Sequence, residues 1–189
     1  MTTFYFIRHG NAYDQNGEQT PTSKLNSEGA SQAENLGKAL DGVKFDVILA
    51  SPWQRAQETC HLATKNTGQP VTTLDILTEV GNGNWPSPQE SRGISSNDQL
   101  NDYINARDLV RRSWLKLVRD YKGKKVLAFT HGNWIRMLLA NILDLSTTNF
   151  QTFKIDFASI TAIEVDEAEN PTILTVSCSV AAIAKKLLE

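Results

Sequence analysis

Two apolar runs in this sequence end in the same pair of residues. Thr3-Phe4-Tyr5-Phe6-Ile7 leads into Arg8-His9-Gly10, and Val126-Leu127-Ala128-Phe129 leads into Thr130-His131-Gly132. A short run that is apolar throughout reads as a strand buried on both faces, as in parallel or mixed α/β sheets. The glycine breaks each strand, so Arg8, His9 and His131 fall at carboxyl ends, where open α/β sheets build their ligand crevices. A third run, Val47-Ile48-Leu49-Ala50, ends at Ser51-Pro52 and a helix start, with Arg55 one turn in. If the three strands are neighbours, two histidines and two arginines converge.

The segments between these runs alternate with them. Asn11 to Lys24 is a long polar loop at a strand end, a place where loops are often functional. A helix follows, capped by Asn26 or Ser27, with Glu28 favourable in its first turn. Ser51 can cap the next helix, with Pro52 at its first position, where no N–H is needed. Side chains on a helix lean toward its N-terminus, which aims Arg55 at the carboxyl edge of the sheet. Pro70 to Leu77 reads as a strand leading to Glu79, and Gly81 to Asn97 as a loop or lid. A long helix over Asp98 to Tyr121 carries the stripe Leu100, Ile104, Val110, Trp114, Leu117 and Tyr121. Another helix spans Asn133 to Leu143. Ser159 to Val165 and Thr172 to Cys178 read as a hairpin turning at Asp166 to Pro171. The pattern predicts an α/β fold of three layers: a mixed, mostly parallel sheet, helices on both faces, and a C-terminal β-hairpin. Residues 1–189 read as a single domain.

Composition excludes several classes. Net charge is -2, which gives no case for bulk attraction to nucleic acid or membrane. No segment approaches the length of a membrane span, and the N-terminus enters a strand without a signal-peptide pattern. Cys60 and Cys178 lie far apart and outside metal-type spacing, which suits free thiols in a reducing cytoplasm.

The chemistry of the convergent set favours an anion. Fixed guanidinium charges repel a metal ion, and no cluster of carboxylates or thiolates accompanies the histidines. Arginine presents a planar fork to anionic oxygens, and a neutral, oriented histidine can attack phosphorus. Glu79, which follows a strand, is a candidate acid for the departing oxygen.

These residues resemble the motifs of the histidine phosphatase superfamily, which includes the cofactor-dependent phosphoglycerate mutases. Arg8-His9-Gly10 is similar to its signature, and Leu25-Asn26-Ser27-Glu28-Gly29 with Gln32-Ala33 to its next helix. Ser51-Pro52 with Arg55-Ala56 and Thr59 resembles the second motif. Glu79 with Gly83 and Trp85 resembles the acid motif. Thr130-His131-Gly132 with Ile135-Arg136 and Leu138-Leu139 resembles the last. The motifs come in family order. The resemblance implies that His9 is the nucleophile and forms a phosphohistidine. It implies that Arg8, Arg55 and His131 hold phosphoryl oxygens and that Glu79 donates the proton. Asn11, Gln15 and Gly132 join the phosphate-binding set, Gln15 by counting to where the family often has an asparagine, with Asn16 beside it. Departures are Asn11, where Glu or Gln is common, and Pro86-Ser87, where Glu-Gly is common.

The implied activity is metal-independent hydrolysis of a small phosphorylated substrate, with no cofactor. A mutase is the runner-up enzyme, but the region 81–97 carries a single basic residue, Arg92, for a bisphosphate site. The same residues would also serve a protein phosphohistidine phosphatase or an inactive phosphate-binding module. Arg136 reads as a structural ion-pair partner, His61 as a surface residue and Trp53 as packing. Asn82, Asn84, Gln89 and Arg92 are candidate substrate readers in the lid.

Overall fold

The computed structural model describes residues 1–81, 97–145, 152–179 and 182. Gly83, Trp85, Pro86-Ser87 and the lid candidates Asn82, Asn84, Gln89 and Arg92 lie outside the described residues. Six strands form one sheet: β1 (Thr2–Arg8), β2 (Val47–Ala50), β3 (Val71–Thr73), β4 (Lys125–Thr130), β5 (Ile160–Val165) and β6 (Pro171–Cys178). Their order is β3-β2-β4-β1-β5-β6. The β1–β4, β2–β4 and β2–β3 pairs are parallel, and the β1–β5 and β5–β6 pairs antiparallel. The sheet is therefore mostly parallel and closes with an antiparallel C-terminal hairpin. Among the described residues, no helix is long and apolar enough to cross a membrane.

Both faces of the sheet are covered, and side chains alternate between them as the pleat requires. Phe4 and Phe6 of β1, with Val126 and Ala128 of β4, face α3 (Asn97–Asp120) and α4 (Gly132–Ile142). Tyr5 and Ile7, with Leu127 and Phe129, face α1 (Ser27–Ala39) and α2 (Gln54–Thr64). Burial on both sides explains why the stretches Phe4–Ile7 of β1 and Val126–Phe129 of β4 are apolar. Asn26 caps α1, its side chain accepting from Gly29 N at 2.9 Å.

Three elements differ from the sequence reading. β3 has only three residues, all exposed, because it is an edge strand; a 3-10 turn at Asp75–Leu77 then carries Leu77 into the core. In α3 the buried face runs through Tyr103, Val110, Trp114 and Leu117, while Ile104 is 50% exposed. Seven residues, close to two turns, separate Tyr103 from Val110. Six separate Ile104 from it, which puts Ile104 about 120° off that face. Third, α2 starts at Gln54 with Trp53 as its cap residue, and Ser51 does not cap it. The Ser51 hydroxyl is engaged by a histidine instead.

Candidate active site

Strand register brings the site together. Arg8 of β1 pairs with Thr130 of β4, so the next residue on each strand is a histidine. His9 N donates to Thr130 O at 3.0 Å. The His9 and His131 rings meet edge to face, 5.1 Å between centroids. β2 adds Ser51 on the far side of β4, where Ser51 N donates to Phe129 O at 2.9 Å. Glu79 arrives from beyond β3. Thr130 Oγ1 donates to Leu77 O at 2.7 Å, and Trp134 Nε1 donates to Ile76 O at 2.8 Å, which fixes the segment carrying it.

Backbone packing sets the depth of the His9 loop. A Cβ on Gly10 would lie 2.5 Å from Gly29 O, and one on Gly29 would lie 2.0 Å from Asn11 O. These two glycines let the loop after β1 lie directly on the start of α1. Gly10 N also donates to Thr59 Oγ1 at 3.0 Å.

His9 is buried, with Nδ1 2.7 Å from Gly10 O. A carbonyl only accepts, so Nδ1 carries the ring proton and Nε2 the lone pair. Arg55 Nε donates to that Nε2 at 2.9 Å, and Arg55 Nη1 donates to Thr20 O at 2.7 Å. Burial, then the charge of Arg55, holds His9 well below the ordinary histidine range. Burial does the same to His131, aided by His9 and the arginines. Both rings are neutral at neutral pH. Burial also brings Arg55 down to about 10.

Arg8 is held by its surroundings. Its Nη1 donates to Ile155 O at 2.5 Å, and its guanidinium carbon lies 3.8 Å above the Phe157 ring. A Cβ on Gly132 would lie 3.1 Å from Arg8 Nε, so Gly132 gives the guanidinium its room. Glu79 sits at the N-terminus of α4. Trp134 N donates to its Oε1 at 2.9 Å and Asn133 N to its Oε2 at 3.3 Å. Burial raises its carboxyl above the ordinary range, and it outweighs the backbone donors that pull the other way.

Arg8, Arg55, Glu79 and Gly132 line one cavity of about 710 Å³, and both histidines touch residues of its wall, His9 through Arg55 and His131 through Trp53. Among the described residues three buried nitrogens here have no partner: Arg8 Nε, Gln19 Nε2 and His131 Nδ1. Buried polar atoms are normally satisfied; Arg8 Nε and Gln19 Nε2 are donors, so they mark a place built for an acceptor-rich group. Among the described residues no group of three or more His, Cys, Asp or Glu could hold a metal ion.

The sequence profile of the histidine phosphatase superfamily (branch 1) matches residues 4–178. The chain belongs to the histidine phosphatase superfamily. The adenosylcobalamin/alpha-ribazole phosphatase of Escherichia coli (strain K12) is 26% identical over 184 residues, covering 86% of this chain and 90% of that relative. The mitochondrial serine/threonine-protein phosphatase Pgam5 of Drosophila mojavensis is 28% identical over 88% of this chain, which spans 60% of that relative. Among solved structures, the phosphoserine phosphatase of Entamoeba histolytica in complex with 3-phosphoglyceric acid matches with a TM-score of 0.78. That match covers 96% of this chain and 100% of the other at 20% identity, a likeness of fold.

Not every residue that the sequence offers as a phosphate contact of this histidine phosphatase reaches the cavity. The Asn11 side chain donates to Glu28 Oε2 at 2.8 Å and accepts from Tyr13 N at 3.1 Å. Gln15 and Asn16 are exposed, and none of the three lines the cavity. Gln19, four residues on, does. Nothing in a polar loop without periodicity could have singled it out. Arg136 lines the cavity, against expectation, and Trp53 both lines it and packs. Arg136 donates to Phe153 O and Asn133 Oδ1, both at 2.9 Å, and makes no ion pair among the described residues. Trp53 packs between the Arg55 guanidinium and the His131 ring, at 4.6 and 5.0 Å. His61 is exposed, as expected.

Proposed function

We propose that residues 1–189 form one catalytic domain that hydrolyses phosphomonoesters of a small metabolite through a phosphohistidine on His9. The observation that carries this reading is the bonding of the His9 ring. Its proton is committed to Gly10 O, so Nε2 keeps a lone pair, which Arg55 Nε holds beside the cavity that Arg55 lines.

Substrate must first take over the Arg55 N–H that holds Nε2. The phosphoryl oxygens accept from Arg55, Arg8 Nε, Gln19 Nε2 and His131 Nδ1, which frees the lone pair to face phosphorus. The P–Nε2 bond forms as the ester P–O bond breaks, and the leaving oxygen takes the proton of Glu79. The carboxylate left behind is stabilised by the N–H groups at the start of α4. It then takes a proton from the attacking water. The P–N electron pair returns to Nε2, and inorganic phosphate departs. Fixed positive charge on the phosphoryl oxygens supplies most of the stabilisation. The guanidinium groups occupy the role a metal ion would have, so activity is expected to persist in excess chelator.

A small substrate suits a cavity of about 710 Å³. It also agrees with the names of the alpha-ribazole phosphatase and of the phosphoserine phosphatase complex. The likeness to Pgam5 supports a second reading, a phosphoprotein substrate. Two free cysteines, Cys60 and Cys178, suit a cytoplasmic location.

The test is rapid-quench labelling with phosphate-labelled substrate, joined to a screen of metabolite phosphates and a phosphoprotein. The expected product is an acid-labile, base-stable label on His9, absent in His9→Ala. Label on another residue, or none during turnover, overturns the mechanism. Turnover of the phosphoprotein alone overturns the small-metabolite reading.

A further inference from the structure

Ser51 is fully buried at the end of β2, and the two steps above make no use of it. Its Oγ lies 2.8 Å from His131 Nε2 and accepts from Trp53 N at 3.3 Å. The backbone behind that hydroxyl is fixed on both sides: Ser51 N donates to Phe129 O, and Gln57 Nε2 donates to Ser51 O. At the other nitrogen of the ring, His131 Nδ1 is buried and has no partner among the described residues.

We propose that Ser51 is a positioning residue that holds His131 as its Nδ1–H tautomer, so that Nδ1 donates to the phosphoryl group during transfer. The identity of that acceptor rests on the two-step reaction proposed above. A hydroxyl has one proton and two lone pairs. One lone pair takes the Trp53 N–H. Among the described groups, the acceptor for the hydroxyl proton is His131 Nε2. With Nε2 accepting, the neutral ring must carry its proton on Nδ1.

The opposite tautomer leaves two faults. Nε2–H would donate to Oγ, and the hydroxyl proton would be buried without an acceptor. Nδ1, buried and without a partner among the described residues, would carry a lone pair and could not donate to phosphoryl oxygens, which are themselves acceptors only. Unpaired buried polar groups are costly, and this arrangement creates one on each side of the ring. The His131 ring stands 5.1 Å from that of His9, within reach of a group bonded to His9 Nε2. A single serine hydroxyl therefore decides whether His131 meets the phosphoryl group as donor or as acceptor.

The experiment is nitrogen-15 spectroscopy of the imidazoles with and without bound vanadate. The chain has three histidines, so assignment needs few variants. The wild type should show His131 protonated at Nδ1 and unprotonated at Nε2. In Ser51→Ala the Nε2–H form should appear beside the Nδ1–H form, and vanadate affinity should fall in proportion to the remaining Nδ1–H fraction, about twofold for an even mixture. Protonation at Nε2 in the wild type overturns the proposal, and that spectrum decides even where the variant does not fold. Retention of the Nδ1–H form in Ser51→Ala, with vanadate binding unchanged, overturns it too. Vanadate binding needs no turnover. A failure to find phosphohistidine would count against the two-step reaction while the tautomer is still read.

Discussion

Arg55 Nε donates to His9 Nε2 across 2.9 Å, so the proposed nucleophile is held by one of the groups that must also hold its substrate. The same guanidinium reaches Thr20 O through Nη1. Arg55 thus links the histidine, the loop after β1 and the start of α2. Lysine keeps the charge but cannot make both contacts. Arg55→Lys should lower kcat/KM by about 10²–10³-fold, the usual cost of one donor to transition-state oxygens. Steady-state kinetics on nitrophenyl phosphate will show it; a loss under threefold would remove Arg55 from the site.

Glu79 should matter in proportion to how badly the leaving oxygen needs a proton. General acid catalysis typically contributes about 10²–10⁴-fold. Glu79→Gln should slow alkyl phosphates by something in that range and barely change nitrophenyl phosphate, whose leaving group departs unprotonated. Equal slowing on both would mean that Glu79 shapes the pocket and the proton comes from elsewhere.

Gln19 and Gln15 can be told apart by substitution. Gln19, in the cavity wall, has its donor Nε2 buried and without a partner among the described residues, whereas Gln15 is exposed. Gln19→Ala should raise KM about tenfold, as expected for one hydrogen bond to a charged group. Gln15→Ala should change it less than about twofold. The reverse ranking would return the loop contact to Gln15.

Acid should destabilise the fold before most carboxylates titrate. His9 and His131 are held neutral well below the ordinary range. In the unfolded chain they protonate near pH 6.5, so below that pH the unfolded state binds more protons and stability falls with pH. Each histidine contributes a slope of about 1.4 kcal/mol per pH unit in this window. Glu79, whose carboxyl is raised, works the other way as pH rises through its own folded value. Urea unfolding between pH 7.5 and 5.5 should give a positive slope that shrinks by one histidine's share in His131→Gln. An unchanged slope in that variant would show that His131 is protonated in the native protein.

Gly29→Ala should cost about 3 kcal/mol or more, at the upper end of overpacking effects. The new Cβ would meet Asn11 O, a backbone atom, at 2.0 Å. Thermal unfolding reads the loss, and a native-like melting temperature would mean that the loop after β1 is free to move off α1.

What the sequence determined by itself was local and periodic. Apolar runs buried on both faces, each broken by His-Gly, are sufficient to place His9 and His131 at strand ends. Helical lean is sufficient to aim Arg55 at them. Both follow from backbone geometry and burial, which act over a few residues. The tertiary structure decided what depends on contacts far apart in the chain. The loop after β1 has no period; its path is set by Arg55 on Thr20 O, Gln54 N on Pro21 O and Leu25 N on Glu58. Those bonds turn Gln19 inward and leave Gln15 in solvent. Ser51 shows the same limit: its hydroxyl is suited to cap a helix, yet 80 residues on His131 offers it a buried partner at 2.8 Å. A buried hydroxyl goes where its hydrogen bond is needed most, and only the assembled sheet brings that partner beside it.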